Sequence, residues 1–286
     1  MPFLIQQDTP VIIDYHIHTP YCGHAHGKTI EYVERAIALG FSEICFSDHL
    51  GRYYLTHVQR RRYWDWGMDE RAINRYICEL EDLQTVFEDR IRIKIGLEID
   101  YIEGADELLA PFLSCYPFDF LLCSIHCLPR FGWKHLADYK DKAGMDVYRE
   151  YFRYARAAIA SGHFHSLAHC DFVWRYLEWP GEGAEDMLDE EIASTVAAAK
   201  KHDRCIEINA NGYLWSYTHI SHGFDPFLAL VGECARQEVP VTLGSDAHDP
   251  SLIGKTYHDL LPVLRSWGIK EVALFDRGVR TMAPLG

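Results

Sequence analysis

The sequence lacks the features of a membrane protein or a secreted protein. No stretch approaches the roughly 18–20 consecutive apolar residues that a helix needs to cross a bilayer. The first ten residues lack the charged and apolar regions of a signal peptide. We therefore expect a soluble, cytoplasmic protein without a membrane partner.

Basic residues and paired cysteines are also scarce. The chain has 28 Lys and Arg against 42 Asp and Glu, a formal net charge of −14. Such a surface repels polyanions, so long nucleic acids are not expected as partners, although a local basic pocket is compatible with it. The nine cysteines are scattered, odd in number and never spaced as CxxC. This pattern predicts buried free thiols and argues against disulfides or a thiolate zinc site.

No Pro-, Gly- or Ser-rich linker divides the 286 residues. Hydrophobic residues make up 48% and charged residues 24%, which are ordinary values for a globular protein. The length suits one large domain or two small ones. Without a linker or a shift in composition, we predict a single domain over residues 1–286. The sequence does not indicate the oligomeric state.

Short apolar runs rich in β-branched residues alternate with segments of helical period. The predicted strands are 11–18, 43–49, 91–101, 118–128, 166–172, 205–209 and 241–248. The predicted helices are 29–39, 69–87, 105–115, 147–160, 184–202, 226–237 and 259–267. A final apolar stretch, 271–275, could form one more short strand. Seven βα repeats predict a parallel sheet with right-handed crossovers, which either closes into a barrel or stays open.

Residue types that bind metals lie in or near the last part of almost every predicted strand. In strand order they are His16 and His18, Asp48 and His49, Glu98, His126, His169 and Asp171, Asn209 and Asn211, and Asp246 and His248. In α/β barrels the loops at the carboxyl ends of the strands build the active site. An open sheet would use only two or three of these strands, in one crevice. The pattern therefore favours an α/β protein with a seven-fold (βα) barrel.

Each motif also has a structural interpretation. His16 and His18 share one face of a strand, as a common metal requires, but an isolated HxH pair serves structural roles equally well. A carboxylate within an apolar strand must be paired or metal-bound, so Glu98 is either a ligand or a partner in an internal ion pair. His126 alone would be interpreted as a core histidine. In 244–248, small residues allow a tight turn while Asp246 and His248 face one pocket.

The aromatic segment 53–66 contains Arg60, Arg61 and Arg62. A packed lid explains the aromatic residues better than a platform on which nucleic-acid bases stack. The arginine run is typical of a solvated face. The sequence alone does not assign a function to either feature.

Taken together, the motifs resemble those of the PHP (polymerase and histidinol phosphatase) metallo-phosphoesterases. The segments that carry the resemblance lie in order between about residues 11 and 250: His16-Ile17-His18, His24, Ser47-Asp48-His49, Gly96–Tyr101, Ser124-Ile125-His126, Ala168–Asp171 and Gly244–His248. The run Tyr21–Ala25 is most similar to the histidinol-phosphatase branch. The resemblance implies a single-domain, distorted seven-fold (βα) TIM-like barrel that holds a cluster of three divalent transition metals, Zn, Fe or Mn.

The resemblance also assigns ligands to each metal. The first would be held by His16, His18, Glu98 and Asp246, the second by His24, His49 and His248, and the third by Glu98, His126 and His169. A carboxylate bridges two cations well, and neutral imidazoles suit these metals. Clustered metals clamp a phosphoryl group and lower the pKa of a bridging water, so that hydroxide attacks phosphorus in line. The resemblance therefore implies Asp246, His248 and Glu98 as catalytic residues.

Arg175 matches the basic residue that family members place after the fifth strand, which implies a phosphate anchor. The alternative is a surface arginine paired with Glu178 or Glu182. The segments 128–143 and 211–215 depart from the histidinol-phosphatase pattern. Both are expected at the barrel mouth, where the substrate would be selected.

These features predict a metal-dependent phosphomonoester hydrolase for a small phosphorylated substrate, L-histidinol phosphate by resemblance. Nucleotides or other small phosphate esters are the first alternative, and a non-catalytic PHP module is another. An amidohydrolase on a TIM barrel also uses HxH and a late Asp. It normally needs a bridging lysine after a middle strand, where this sequence has His126.

Overall fold

A computed structural model describes residues 9–50, 67–68, 72–133, 135–139, 143–219 and 223–286. The aromatic segment 53–66, with Arg60, Arg61 and Arg62, lies outside the described residues. Seven parallel strands pair in sequence order. They are β1 (Ile13–Ile17), β2 (Glu43–His49), β3 (Arg92–Asp100), β4 (Phe120–Ser124), β5 (Ser166–Leu167), β6 (Cys205–Asn209) and β7 (Val241–Gly244).

Helices follow the strands and cover the outside of the sheet. They are α1 (Thr29–Ala38), α2 (Ala72–Val86), α3 (Asp106–Leu113), α4 (Met145–Ser161), α5 (Phe172–Tyr176), α6 (Ala184–Lys201), α7 (Ala210–His219), α8 (Pro226–Gln237) and α9 (Tyr257–Ser266). Strands β1 to β4, β6 and β7 are buried along nearly their whole length, as expected for a parallel sheet covered by helices. Among the residues that the structure describes, no helix combines the length and apolar character that crossing a bilayer requires.

Among the described residues, backbone hydrogen bonds between the end of β1 and the chain after β7 close the sheet into a barrel at its carboxyl end. There the His18 amide donates to the Ala247 carbonyl at 3.0 Å, and the Ala247 amide donates to the His16 carbonyl at 3.3 Å. These bonds join the end of β1 to the turn that follows β7. The predicted distorted seven-fold barrel is therefore confirmed.

A C-terminal hairpin covers the opposite end of the barrel. Strand β8 (Glu271–Asp276) pairs antiparallel with β9 (Val279–Pro284). The Val11 amide donates to the Pro284 carbonyl at 2.9 Å, which anchors the hairpin beside the start of β1. The additional strand predicted at 271–275 is confirmed, whereas β9 was not predicted.

Two short helices near the barrel mouth were also not predicted. Strand β5 ends at Leu167, much earlier than the predicted 166–172, because the His169 amide turns away from the sheet and donates to the Glu207 carboxylate at 2.7 Å. The Phe172 amide then bonds to the His169 carbonyl, and α5 begins. After β6 the chain enters α7 directly at Ala210. Helix α5 places Phe172 beside the predicted ligands His126 and His169, and Asn211 of α7 donates to the Ser245 carbonyl.

Candidate metal centre

Glu98 lies at the centre of a cluster of imidazoles at the barrel mouth. The register of β2 and β3 places it directly beside His49, whose Nδ1 is 2.9 Å from Glu98 Oε2. The same oxygen is 3.2 Å from His16 Nε2 and 3.4 Å from His18 Nε2. The structure thus brings together residues from three strands around one carboxylate oxygen.

The second oxygen of Glu98 faces a different pair of histidines. Glu98 Oε1 is 2.8 Å from His169 Nε2 and 3.5 Å from His126 Nε2, and it accepts a hydrogen bond from Ser124. Because its two oxygens face separate sets of imidazoles, Glu98 has the geometry of a bridging carboxylate.

Asp246 and His248 complete the cluster from the turn after β7. Asp246 Oδ1 is 3.1 Å from His18 Nε2 and 3.6 Å from His16 Nε2, while His24 and His248 approach within 2.9 Å through their Nε2 atoms. Asp246 has a φ of 55°, in the left-handed region that Asp tolerates better than most residues. All nine predicted ligands therefore lie around one centre.

The spacing of the donor atoms suits metal ions. Ligands at about 2.1 Å in a tetrahedron lie about 3.4 Å from each other, close to the 3.1–3.6 Å that separate the His16 and His18 nitrogens from the Glu98 and Asp246 oxygens. Within the described residues, His16 Nε2, His18 Nε2 and Glu98 Oε2 are buried without a hydrogen-bond partner. Buried polar atoms rarely go without a partner, so this convergence fits a bound cation. His24, His49 and His248 form a further group of three donors within 4.8 Å of one another.

The electrostatics of the cluster favour positive charge at its centre. Burial alone would raise the pKa of Glu98, but His16, His49 and His126 hold it well below its usual range. Burial would likewise raise the pKa of Asp246, and His16, His18 and His248 depress it. In both cases the neighbouring histidines favour the ionised carboxylate, which is the form that binds a cation.

Burial disfavours the protonated form of the outer imidazoles, and the neutral form is the one that binds metals. Burial, together with the neighbouring His18, lowers the pKa of His248 to about 2. The same two causes lower the pKa of His24. Burial also lowers the pKa of His49 to about 4, against the opposing effect of Glu98.

Glu207 is an important residue of the site that was not among the predicted ligands. Its Oε1 is 2.8 Å from His16 Nδ1, and its Oε2 accepts the His169 amide, so one carboxylate orients two predicted ligands. A Cβ on residue 244 would lie 2.0 Å from Glu207 Oε1, so only glycine fits at Gly244. Carboxylates that hold the far nitrogen of a ligating histidine fix its tautomer and direction.

Asp48 and Asp100 likewise lie beside the Nδ1 atoms of two other predicted ligands. His18 Nδ1 is 3.4 Å from Asp48, and His126 Nδ1 is 3.3 Å from Asp100. The sequence contained a signal for both acids. Asp48 directly precedes the predicted ligand His49, and Asp100 follows the predicted ligand Glu98 by two residues, on the same face of the strand.

Arg175 lies beneath the mouth and not on the surface. Its side chain is only 7% exposed, and its Nε is 2.6 Å from Asp171 Oδ2. The alternative of a surface pair with Glu178 or Glu182 is therefore wrong, because α5 turns Arg175 inward towards the residue four positions earlier. A Cβ on Gly212 would lie 2.7 Å from the Asp171 carboxylate, so the glycine makes room for this pair. Its predicted contact with phosphate stays a prediction.

The PHP domain family matches residues 14–211 of this chain. A probable histidinol-phosphatase of Deinococcus radiodurans is 28% identical over 271 residues, which cover 93% of this chain and 97% of that protein. The histidinol-phosphatase of Bacillus subtilis is 24% identical over 265 residues, covering 87% of this chain and 97% of that protein.

The fold has a solved counterpart. The crystal structure of histidinol phosphate phosphatase from Lactococcus lactis, complexed with zinc, L-histidinol and phosphate, matches with a TM-score of 0.79 and 24% identity, and the match covers 96% of this chain and 100% of that one. This likeness shows that the barrel architecture is shared. Since the family match extends over more than half of the sequence, the chain belongs to the PHP domain family.

Proposed function

We propose that the protein is a metal-dependent phosphomonoesterase that hydrolyses L-histidinol phosphate to L-histidinol and phosphate. The observation that carries the proposal is the convergence of nine ligand-type side chains at the barrel mouth, where five imidazoles surround the two oxygens of Glu98. The substrate is supported by relatives named histidinol-phosphatase, which this chain matches over most of their length. We also propose that residues 1–286 form one domain, because the C-terminal hairpin packs against the barrel.

The nine side chains suit three divalent cations, Zn, Fe or Mn. His16, His18, Glu98 and Asp246 would hold the first, His24, His49 and His248 the second, and Glu98, His126 and His169 the third. Bound there, the cations would neutralise charge on the phosphoryl oxygens and supply the nucleophile for in-line hydrolysis.

The chain's own groups orient the ester. The Asp246 and His248 side chains are 18% and 27% exposed, whereas Glu98 is 1% exposed, so the first two face the incoming phosphate and Glu98 holds the cluster from below. Arg175, fixed by Asp171, would donate to the phosphate oxygens through its guanidinium, a planar group that can bind two oxygens at once.

A phosphate-release screen of the purified, metal-loaded protein tests the proposal. It should compare L-histidinol phosphate with nucleoside monophosphates and other small phosphate esters. We expect the highest kcat/KM for L-histidinol phosphate. A higher value for a nucleotide would transfer the assignment to that ester, and no phosphate release from any ester would indicate a non-catalytic module.

A further inference from the structure

A row of aromatic side chains extends outward from the predicted ligands His126 and His169. The Phe172 ring centroid lies 4.8 Å from that of His126 and 5.0 Å from that of His169. Tyr176, one turn further along α5, lies 4.5 Å from Phe172. We refer to Phe172, Tyr176 and His135 as the aromatic wall.

His135 forms the other side of the wall. Its ring is nearly parallel to that of His126 at 5.4 Å, and it meets Phe172 and Tyr176 edge-on at 5.4 and 6.5 Å. The Leu136 amide donates to the His126 carbonyl at 2.8 Å, which ties the His135 segment to the end of β4. His135 Nδ1 accepts the Ala137 amide, which fixes the ring's orientation. The wall is thus held by backbone bonds.

The side chains of the aromatic wall become more exposed to solvent with distance from the predicted metal ligands. Phe172 is 4% exposed, whereas Tyr176 is 46% exposed although it packs on Phe172. Arg175, between them in sequence, turns inward to Asp171, with its Cζ 5.6 Å from the Phe172 ring and 5.5 Å from the Tyr176 ring. Helix α5 therefore directs the Arg175 guanidinium inward to Asp171 and the Tyr176 ring towards solvent.

We propose that the aromatic wall binds the leaving group of the phosphate ester and selects a flat heteroaromatic ring. This inference rests on the proposed function. If phosphate occupies the cluster beside Arg175, an alcohol that leaves on the α5 side lies along Phe172, Tyr176 and His135. Aromatic side chains bind flat rings through edge-to-face and offset-stacked contacts. The imidazole of L-histidinol phosphate has this chemistry.

The test compares two esters that differ only in the ring. L-Alaninol phosphate has the amino alcohol and phosphate of L-histidinol phosphate but no imidazole. We expect the parent protein to prefer the ring-bearing ester, and we expect Tyr176→Ala to reduce the ratio of the two kcat/KM values about five- to tenfold. Tyr176→Phe should restore most of the ratio, since it keeps the ring.

Two controls separate this effect from damage to the site. Tyr217→Ala removes a tyrosine that is 81% exposed on α7 and should leave the ratio unchanged. Metal content should be equal in all variants. Inhibition by L-histidinol should weaken in Tyr176→Ala more than inhibition by inorganic phosphate, because only the first probe has the ring.

An unchanged ratio in Tyr176→Ala would overturn the proposal, as would equal kcat/KM values for the two esters in the parent. If neither ester is hydrolysed, the proposed function fails while the wall is still tested by calorimetry on the metal-loaded protein. L-Histidinol should then bind more tightly than L-alaninol, and the difference should shrink in Tyr176→Ala. Equal affinities would again overturn the proposal.

Discussion

The two ends of the barrel both bury charged residues but neutralise them differently. At the amino end, Glu43 pairs with Arg92 at 2.6 Å and Lys94 pairs with Asp276 of the hairpin at 2.7 Å. At the carboxyl end, Glu98 and Asp246 are surrounded by imidazoles. Protein cations thus balance the acids at one end, while the other has donor atoms arranged for cations from solution.

The comparison shows why the two ends have different roles. The buried Glu43 carboxylate already has its protein cation, and removing Arg92 would leave it as an uncompensated charge. By contrast, Glu98 and Asp246 at the carboxyl end lie among ligand-type imidazoles, and this arrangement is satisfied only when a metal cation binds. Substitutions at the carboxyl end should therefore alter metal content and activity, and substitutions at the amino end should alter stability.

The largest effect is expected for Glu98→Gln. An amide cannot bridge two cations with two anionic oxygens, so metal occupancy should fall at two positions and kcat/KM should drop by roughly three orders of magnitude or more. Elemental analysis measures the metal occupancy, and circular dichroism tests whether the variant is still folded. Unfolding with metal binding intact would instead identify Glu98 as the partner in a structural ion pair.

Arg175→Ala should have the next largest effect. We expect kcat/KM to fall by about one to three orders of magnitude, because the charge-assisted contacts to the phosphate oxygens are lost. Metal content should be unchanged, and inorganic phosphate should inhibit the variant more weakly. Arg153→Ala is the matched control, since it removes an arginine that also packs on a tyrosine ring but is 51% exposed. Equal phosphate inhibition in the parent and in Arg175→Ala would exclude the anchor role.

A smaller effect is expected for Glu207→Gln. The amide cannot accept from both His16 Nδ1 and the His169 amide, so these two ligands lose their fixed orientation. Metal affinity should weaken about 10- to 100-fold, as for other carboxylates that orient ligating histidines. Titration with a competing chelator measures this, with Glu103→Gln, at a half-exposed acid on the outside, as the control. Unchanged affinity would show that Glu207 serves packing alone.

At the amino end, Asp119→Asn should alter stability and leave activity intact. Asp119 accepts the Ile95 amide at 2.9 Å and the Arg277 amide at 3.0 Å, which ties the hairpin to the barrel. In Asn one of these acceptors becomes a donor, which should cost about 1–3 kcal/mol of unfolding free energy. Urea unfolding measures the loss. A change in metal content would contradict the assignment of stability to the amino end and metal binding to the carboxyl end.

The site was predictable where a residue type was out of place in its surroundings. Glu98 lies within an apolar strand, and His16 and His18 repeat with the period of a strand, so their common face followed from sequence. The contacts that orient the predicted ligands were harder to predict from the sequence, because the hydrogen bond between His16 and Glu207 joins residues 191 positions apart. Only the barrel register brings these two side chains together.

The missed elements are short or weakly patterned. Helix α5 has five residues, too few for a helical period to be recognised, and so the pairing of Arg175 with Asp171 was not predicted. Strand β9 is only partly buried and ends at a proline. Its position is determined by pairing with β8, which sequence pattern alone does not show.

Metal analysis coupled to activity tests the central claim most directly. The purified protein should contain more than one equivalent of divalent transition metal, release phosphate from L-histidinol phosphate, lose that activity with a chelator and regain it when metal is restored. A metal-free protein with full phosphatase activity would contradict the account.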